Sequence, residues 1–457
     1  MDLEGYARRG ILRNDKALKA KLADRILEIK NISRKHAEEI ANAVIVEANA
    51  TMNPKGDILT SISSGVTMGE FGVGSRGGGD FYTHEKIAEV IGKTSAVVDS
   101  SHLDDSGVVR AKGTYLVVTI DGMHSRLSDF PFLAGFHVAR AALRDVYVMG
   151  ARPVALFSDI HVADDGDVAK IFDHIAGITT VSELTGVPLI TGSTLRIGGD
   201  MVIGERMTGG VGAVGVAESL TARIQAKPGD IILMTEGAGG GTVSTAALYY
   251  GMHDIVDETI NLKFIDACEA LLEAGLIGKI HAMTDVTNGG VRGDAKEISR
   301  TACVKLVFEE EKMRSLVNKK VLEMLDSLEI DYLGVSLDAL LIIAPPEHAD
   351  EIMKCVHRKG VAIDVVGKVE EGKGAELIIN GEVHDFTPRF RESAYTPIKK
   401  LVGEKTPRNF EAMKKAVNRA AAQAVEKKWR VVERMRSGIC QTSSQTHEPA
   451  PQGRRLS

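Results

Sequence analysis

Residues 104–122 have the sequence DDSGVVRAKGTYLVVTIDG, and this stretch decides the fold. Its apolar, β-branched residues predict a short strand followed by a stronger strand over 115–120. Asp104 and Asp105 precede the first strand, and Asp121 ends the second. The stretch therefore predicts two neighbouring strands with carboxylates at their ends.

Helical and strand patterns alternate after this stretch. Apolar residues at helical spacing predict helices over 134–149 and 168–184. Short apolar runs predict further strands over 153–157, 188–191 and 211–216. We compare this alternation with a ferredoxin-like β-α-β-β-α-β order, and we expect an α/β or α+β domain over 65–217.

A second α/β region follows a turn at 227–230. A buried strand is predicted at 231–235, and a glycine-rich loop at 237–241 leads into a helix near 243–249. Further alternation of strands and helices continues to about residue 386. We expect the second domain to span 218–390.

The two ends of the chain differ from this core. Residues 1–64 predict a helical extension that serves as a packing arm or a dimer arm. Residues 399–440 contain twelve Lys or Arg against four Asp or Glu, so we expect a basic helical segment over 391–440. The positive charge of this segment suits an acidic partner. A basic helix that packs on the acidic remainder of its own chain is more common, and nucleic-acid binding is disfavoured. The polar residues 441–457 predict a disordered tail.

Composition excludes several classes of protein. The 457 residues carry a net charge of −6, with 44% hydrophobic and 26% charged residues, so the chain is not wholly disordered. No apolar run reaches the ~18 residues that span a bilayer, and the first residues do not resemble a signal peptide. Four distant cysteines indicate buried reduced thiols in a cytoplasmic protein: Cys268, Cys303, Cys355 and Cys440.

A glycine-rich stretch precedes the first domain's strands. Residues 65–79 include seven glycines and lead into a short amphipathic helix. Backbone N–H groups in such a loop can cradle phosphate, and the following helix N-terminus adds positive potential. No Gly-Lys-Ser/Thr follows, so it is not a Walker loop, and a flexible connector is an equal alternative.

Further carboxylates end other predicted elements. Asp285 lies in the stretch MTDVTNGG over 283–290, and Asp145 lies on an otherwise apolar helix. Mg²⁺ prefers carboxylate oxygens, water and phosphate, so acids alternating with glycines favour a Mg–nucleotide site over a set of turn residues. For Asp145, a salt bridge to Arg144 or Arg152 is the alternative. His102 and His124 lie near these acids without a metal spacing, so core or surface histidines are favoured.

Four motifs occur in the order of a known superfamily. They are DDSGVV at 104–109, VTIDG at 118–122, RDVYVMGARP at 144–153 and DVTNGG at 285–290. Together they resemble the PurM-like superfamily, which contains aminoimidazole ribonucleotide (AIR) synthetase, formylglycinamidine ribonucleotide synthetase, selenophosphate synthetase, thiamine monophosphate kinase and HypE. The resemblance covers roughly 65–390.

The resemblance implies an ATP-dependent enzyme with two α/β domains. The N-terminal domains of two chains would pair into a β-barrel, with ATP beside that interface. The implied Mg²⁺ ligands are Asp104, Asp105, Asp121 and Asp285. The implied catalytic residues are Asp121, Asp145 and Asn288. The implied nucleotide-binding residues are Gly74, Ser75, Gly77, Gly78, Gly79, Asp145, Thr194 and Arg196.

Three departures limit the choice of member. The loop at 72–79 lacks the reactive Cys or Sec and the Lys of selenophosphate synthetase. It is more similar to the loop of HypE, but HypE ends in a carbamoyl-carrying cysteine, whereas Cys440 is followed by seventeen residues. Ser193 stands where the kinase and HypE relatives have an aspartate.

We therefore expect an ATP- and Mg²⁺-dependent enzyme that phosphorylates or activates a small-molecule or protein-borne acceptor and releases ADP. Two alternatives remain open. One is a HypE-like hydrogenase maturation protein, and the other is a nucleotide-binding scaffold with little catalysis, which Ser193 motivates.

Overall fold

Two mixed β-sheets organise the chain in the computed structural model, which describes residues 1–287 and 289–436. The first sheet has five strands: β1 (Gly107–Ala111), β2 (Thr114–Gly122), β3 (Arg152–Val162), β4 (Leu189–Arg196) and β5 (Met207–Ala217). The second sheet has seven strands: β6 (Ile231–Thr235), β7 (Ala282–Asp285), β8 (Val304–Glu309), β9 (Leu340–Ala344), β10 (Ile363–Glu371), β11 (Gly374–Ile379) and β12 (Glu382–Asp385). The predicted mixed α/β class is confirmed.

The first sheet has the strand order β1-β2-β5-β3-β4, in which only β3 and β4 pair in parallel. Helices α6 (Pro131–Tyr147) and α7 (Ala169–Thr185) connect β2 to β3 and β3 to β4. Along the chain the order is therefore β-β-α-β-α-β-β, which differs from the predicted β-α-β-β-α-β. The last strand, β5, returns to the middle of the sheet, where it pairs antiparallel with both β2 and β3.

The second sheet has the order β12-β11-β8-β10-β6-β9-β7, and only β8 and β11 pair in parallel. Its helices are α8 (Gly241–Tyr249), α9 (Lys263–Glu273), α10 (Gly290–Ala302), α11 (Glu310–Ser315), α12 (Lys319–Ser327) and α13 (Ala349–His357). The α9 helix and part of this sheet join α6 in one apolar cluster, which includes Val146 and Phe264. The two sheets are therefore held together by a shared core.

The N-terminal arm consists of α1 (Leu3–Leu12), α2 (Leu18–Leu27) and α3 (Arg34–Met52). The hydroxyl of Ser33 caps α3 by accepting a hydrogen bond from the His36 N–H. The apolar faces of the three helices meet around Leu22 and pack on Ile203. Lys30 pairs with Asp164 and Asp165 at 2.5 and 2.6 Å. The arm thus packs on its own chain.

The remaining helices lie beside the glycine-rich loop. They are α4 (Met68–Phe71), α5 (Gly78–Ile91), α14 (Pro397–Val402) and α15 (Phe410–Arg436). The ammonium group of Lys428 donates to the carbonyl groups of Val90 and Ile91 at the end of α5. Arg430 pairs with Asp57 at 2.8 Å. Part of the basic charge of α15 is therefore used within the chain.

The cysteines only partly match the expectation. Cys268 and Cys355 are buried free thiols, whereas Cys303 is exposed because it ends α10 in a left-handed conformation. Cys440 and the predicted tail lie outside the described residues.

Across the described part of the chain, no helix combines the length and the apolar character needed to cross a membrane.

Candidate active site

A cavity of about 790 Å³ lies between the two sheets. Its walls come from the loop before α5, the ends of β1 and β2, one side of α6, the first residues of α8, the end of β7, and the segment around α14. Five of the predicted aspartates line it: Asp104, Asp105, Asp121, Asp145 and Asp285. We call these five side chains the acidic cluster.

Strand alternation brings part of the acidic cluster together. Thr119 and Asp121 are two residues apart on β2, so both face α6. The hydroxyl of Thr119 donates to a carboxylate oxygen of Asp145 on α6 at 2.8 Å. The hydroxyl of Ser106 donates to the Asp145 carbonyl at 2.7 Å. These bonds fix Asp145 against the strand ends, and no salt bridge to Arg144 or Arg152 forms.

The acidic cluster carries more negative charge than its surroundings compensate. Burial raises the pKa of Asp104 and of Asp285 to about 7, despite opposing effects of nearby arginines. Burial also raises the pKa of Asp121. The pKa of Asp145 is raised well above its usual range by burial and by the neighbouring Asp285, Asp121 and Asp105. Such crowding favours binding of a cation.

Asp338 illustrates the opposite case within the same cavity. Burial alone would raise its pKa, but Arg144 and Arg140 outweigh that effect and lower the pKa below the usual range. Both arginines contact its carboxylate. Arg144 also donates to Asp285 through Nε at 3.0 Å. Asp338 is therefore a compensated structural anion, unlike most of the acidic cluster.

Arg223 connects the two halves of the cavity. Its guanidinium donates to Asp105 at 2.5 Å and to Glu297 at 2.8 Å, and its backbone N–H donates to Asp104 at 3.0 Å. The side chain is only 2% exposed. A second arginine, Arg76 of the glycine-rich loop, reaches Glu297 at 2.9 Å. Buried ion pairs thus join residues on both sides of the cavity.

The glycine-rich loop differs from the predicted phosphate cradle. The backbone N–H groups of Gly74 and Arg76 donate to the Asp80 carboxylate at 2.9 and 2.7 Å. A Cβ on Gly77 would lie 2.1 Å from the Phe390 carbonyl oxygen, and one on Gly79 would lie 1.6 Å from that of Phe71. These glycines permit close backbone packing.

Gly74 lines the cavity, whereas the other predicted loop residues do not: Ser75, Gly77, Gly78 and Gly79. The Ser75 carbonyl instead accepts a hydrogen bond from the Glu392 N–H at 3.0 Å. Their predicted role in nucleotide binding stays a prediction.

Other predicted residues lie elsewhere. Thr194 and Arg196 are on β4 and do not line the cavity, and Arg196 pairs with Asp164 and Asp200 at 2.5 Å. Ser193 is on the same exposed strand, so the residue at this position leaves the acidic cluster of this chain intact. Asn288 lies outside the described residues.

Only one of the two candidate histidines lies at the cavity. His124 lines the cavity. His102 does not, and its Nδ1 lies 3.1 Å from the backbone N of Asp99, where it completes a local cap.

The predicted metal ligands do not form a complete site by themselves. In residues 1–287 and 289–436, no group of three or more His, Cys, Asp or Glu side chains is arranged to hold a metal ion. The physical reason is that Arg223 and Arg144 occupy oxygens of Asp105 and Asp285. Mg²⁺ commonly binds through one or two carboxylates together with waters and substrate phosphates, and the acidic cluster fits that mode.

Several cavity residues were missed from the sequence. Glu297 lines the cavity, and Asp294, three residues before it on α10, lies 3.6 Å from Arg223; this helical spacing was a usable signal for one shared face. Arg223, Asp338, Tyr395 and Lys399 lie in no local pattern and meet the acidic cluster only through the tertiary fold.

Comparisons with known proteins show the family to which the chain belongs. The model for the N-terminal domain of AIR synthase related proteins matches residues 103–217, and the model for the C-terminal domain matches 227–380. An uncharacterized protein of Methanocaldococcus jannaschii is 54% identical over 450 residues, which cover 95% of this chain and 98% of that protein.

Two kinds of kinase are more distant relatives. Thiamine-monophosphate kinase of Pyrococcus horikoshii is 26% identical over 60% of this chain and 84% of its own length. Selenide, water dikinase of Myxococcus xanthus is 26% identical over 61% of this chain and 86% of its own length.

Solved structures of HypE share the fold. HypE in a HypE–HypF complex has a TM-score of 0.55 and 18% identity, covering 66% of this chain and 98% of that chain. The hydrogenase maturation protein HypE in complex with ATP has a TM-score of 0.52 and 19% identity, covering 63% and 88%. The predicted two-domain PurM-like fold is confirmed.

Proposed function

The chain belongs to the AIR synthase related proteins, and on that premise we propose that it is an ATP- and Mg²⁺-dependent enzyme. In this proposal it phosphorylates or activates an acceptor and releases ADP. Relatives in the superfamily include two kinds of kinase and a HypE that binds ATP. The acceptor is a small molecule or a group carried by a protein.

One observation carries the proposal: five carboxylates are buried together in one cavity, and only Asp105 and Asp285 pair with an arginine among the described residues. The raised pKa values of Asp104 and Asp285, caused first by burial, mean that a bound dication would relieve a real electrostatic cost. When bound, Mg²⁺ would neutralise phosphate charge and orient the transferred group.

The chain's own residues have distinct tasks in this proposal. Asp121 and Asp145 supply carboxylate oxygens for the metal, and Thr119 holds Asp145 in place. The loop residues Gly74 and Arg76 face the cavity beside these acids, where the Arg76 guanidinium can contact phosphate oxygens. Rigid positioning and charge neutralisation provide most of the catalysis in phosphoryl transfer.

We also propose that the protein is a homodimer through the first sheet. One face of this sheet packs on α6 and α7. Large apolar side chains are exposed on its strands: Val118, Ile120, Val154 and Leu195. An uncovered apolar face of this kind favours association. Sedimentation analysis giving the mass of one chain would contradict the dimer.

The two alternatives gain no support from the described residues. Cys440, on which the HypE-like reading depends, lies outside them. Ser193, which motivated the scaffold reading, lies outside the cavity walls. The cytoplasmic location and an acidic partner for the basic segment stay predictions.

ATP consumption with Mg²⁺ tests the proposed reaction. Products are separated by chromatography with and without formylglycinamidine ribonucleotide, thiamine monophosphate, selenide or a carbamoylated thiol peptide. We expect ADP to accumulate with one acceptor and not with the others. AMP as the product would instead indicate chemistry like that of selenide, water dikinase, and an absence of turnover with every acceptor would favour the scaffold.

Mg²⁺ should stabilise the fold more at pH 8 than at pH 5. Burial raises the pKa of Asp104 and Asp285 to about 7, above the unfolded value of about 4. Between about pH 4 and pH 7 the folded state therefore binds more protons than the unfolded state. The stability that these two carboxyl groups contribute is lost as the pH rises toward 7. Mg²⁺ binds the ionised carboxylates and offsets that loss.

The measurement is the midpoint of thermal unfolding with Mg²⁺ or with EDTA, at both pH values and constant ionic strength. The quantity compared is the difference between the unfolding midpoints with Mg²⁺ and with EDTA at the same pH. Groups that titrate without contacting the metal affect both midpoints equally, so their contribution cancels. Equal shifts at the two pH values would contradict the proposed metal site.

A further inference from the structure

Two cations line the cavity without an anionic partner. Arg126 follows Asp121 by five residues, and Lys399 lies on α14. The Arg126 guanidinium lies over the Tyr249 ring at 4.4 Å, and the Lys399 ammonium lies over the Tyr395 ring at 4.3 Å. Within residues 1–287 and 289–436, neither side chain forms an ion pair with a carboxylate. We call Arg126, Lys399, His124 and Tyr395 the cationic wall.

The other arginines of the cavity behave differently. Arg76, Arg140, Arg144 and Arg223 all pair with buried carboxylates. The Nε atom of Arg126 is buried and has no hydrogen-bond partner among the described residues, as is also true of the Nε atoms of Arg76, Arg140 and Arg223, but Arg126 alone of these lacks a carboxylate pair. A buried donor without a partner is costly, so its presence in a cavity indicates a ligand that accepts the hydrogen bond.

Positive charge is concentrated at this wall. The pKa of Lys399 is lowered by burial and then by Arg126 and Arg391, while Asp80 opposes the shift. The Asp80 carboxylate already accepts hydrogen bonds from the N–H groups of Gly74 and Arg76. Asp80 offsets part of the positive charge at Lys399 but, in the described part of the chain, forms no ion pair with it, because its carboxylate is held by the glycine-rich loop.

The neutral residues of the wall are held in fixed positions. His124 Nε2 lies 3.0 Å from the Tyr395 hydroxyl, and its Nδ1 lies 3.1 Å from the Thr245 hydroxyl. Burial, followed by Lys399 and Arg126, lowers the pKa of His124 to about 4, so the ring is neutral near pH 7. The residue provides a rigid polar surface rather than another charge.

The first turn of α8 also faces this wall. Gly241 and Thr242 line the cavity, and a Cβ on Gly241 would lie 3.1 Å from the Cβ of His124. The N-terminus of a helix carries positive potential that favours anions. Two independent features, namely a pair of cations without carboxylate partners and a helix N-terminus, point to the same class of ligand.

We propose that the cationic wall binds an anionic group of the acceptor, either a phosphate or a carboxylate. This inference rests on the proposed function, in which the acidic cluster holds Mg²⁺ and nucleotide. Tyr395 and Lys399 lie beyond the residues that match the AIR synthase related models, which end at 380. Arg126 and His124 lie within the N-terminal domain model, so the wall combines a shared domain with a segment outside it, and that segment suits a substrate that differs between relatives.

The test uses the full chain with Mg²⁺ and a saturating non-hydrolysable ATP analogue. Calorimetric titration measures the Kd of inorganic phosphate and, separately, of acetate, and the anion that binds distinguishes phosphate from carboxylate. Lys399→Met and Arg126→Met should each raise that Kd about tenfold, as expected for loss of one charged hydrogen bond. The Kd of the ATP analogue should stay within about twofold, because the nucleotide is bound by the acidic cluster.

Lys400→Met is the matched control. It removes the same charge from the next residue of α14, but Lys400 donates to the Leu328 carbonyl and does not line the cavity. Its anion affinity should equal that of the wild type. Circular dichroism verifies folding, and the glutamine substitution at the same position replaces any of the three methionine variants that fails to fold.

Two results would overturn the inference. One is that neither anion binds the wild type, or that both variants bind the anion as tightly as the control. The other is that the variants lose affinity for the ATP analogue alone, which would assign the wall to the nucleotide. Absence of analogue binding in the wild type itself would instead refute the proposed function, so the two failures are distinguishable.

Discussion

Asp121→Asn is expected to lower ATP turnover by roughly 10²- to 10³-fold, a loss typical of removing one electrostatic contact to the transition state. Asp121 ends β2, lines the cavity and forms no ion pair among the described residues, so its oxygens are available to Mg²⁺. Asparagine keeps the shape of the side chain and removes the charge. The measurement is steady-state ADP release with Mg²⁺ and the identified acceptor.

The same variant should fold as well as the wild type or better. Burial raises the pKa of Asp121, so a neutral amide at this position removes a cost in the metal-free protein. Asp350→Asn, at a side chain that is 82% exposed on α13, is the matched control for loss of one carboxylate. Undiminished turnover in Asp121→Asn, or an equal loss in Asp350→Asn, would refute the assignment of Asp121.

Arg223→Met should lower the free energy of unfolding by about 3–5 kcal/mol, because it leaves buried carboxylates without a partner. Arg223 pairs with Asp105 and Glu297 and donates to the Leu103 carbonyl at 2.6 Å. These contacts join the strand ends of the first sheet to α10 beside the second sheet. Urea unfolding followed by circular dichroism gives the change directly.

Arg196→Met is the comparison for this variant. Arg196 is 55% exposed, and its pairs with Asp164 and Asp200 are on the surface and screened by solvent, so the expected loss is much smaller than for Arg223→Met. Adding Glu297→Gln to Arg223→Met should recover part of the lost stability, since it removes one unpaired charge. Equal losses in the two arginine variants would contradict the role of Arg223.

Local patterns predicted most elements of the first sheet. The helix expected over 134–149 is Pro131–Tyr147, and the strand expected over 115–120 is Thr114–Gly122. Both have strong periodicity, with the helix packed on the sheet and one face of the strand buried. The sheet order was not accessible in this way, because the central position of β5 results from pairing between distant strands.

The carboxylates of the cavity were accessible for a similar reason. Asp121 and Asp285 end apolar strands, and a strand end is a position that a sequence pattern reveals. The charges that compensate them were not accessible: Arg223 is 118 residues from Asp105 and lies in no repeated pattern. The close backbone packing that Gly77 and Gly79 allow was also not accessible, because their contacts at Phe390 and Phe71 form only in the tertiary fold.

The central claim is that the acidic cluster holds nucleotide through Mg²⁺. Calorimetric titration of the full chain with a non-hydrolysable ATP analogue, in Mg²⁺ and then in EDTA, tests it most directly. We expect saturable binding at one site per chain in Mg²⁺, with a large loss of affinity in EDTA and in Asp121→Asn. Binding that is equally tight in EDTA, or no binding in Mg²⁺, would contradict it.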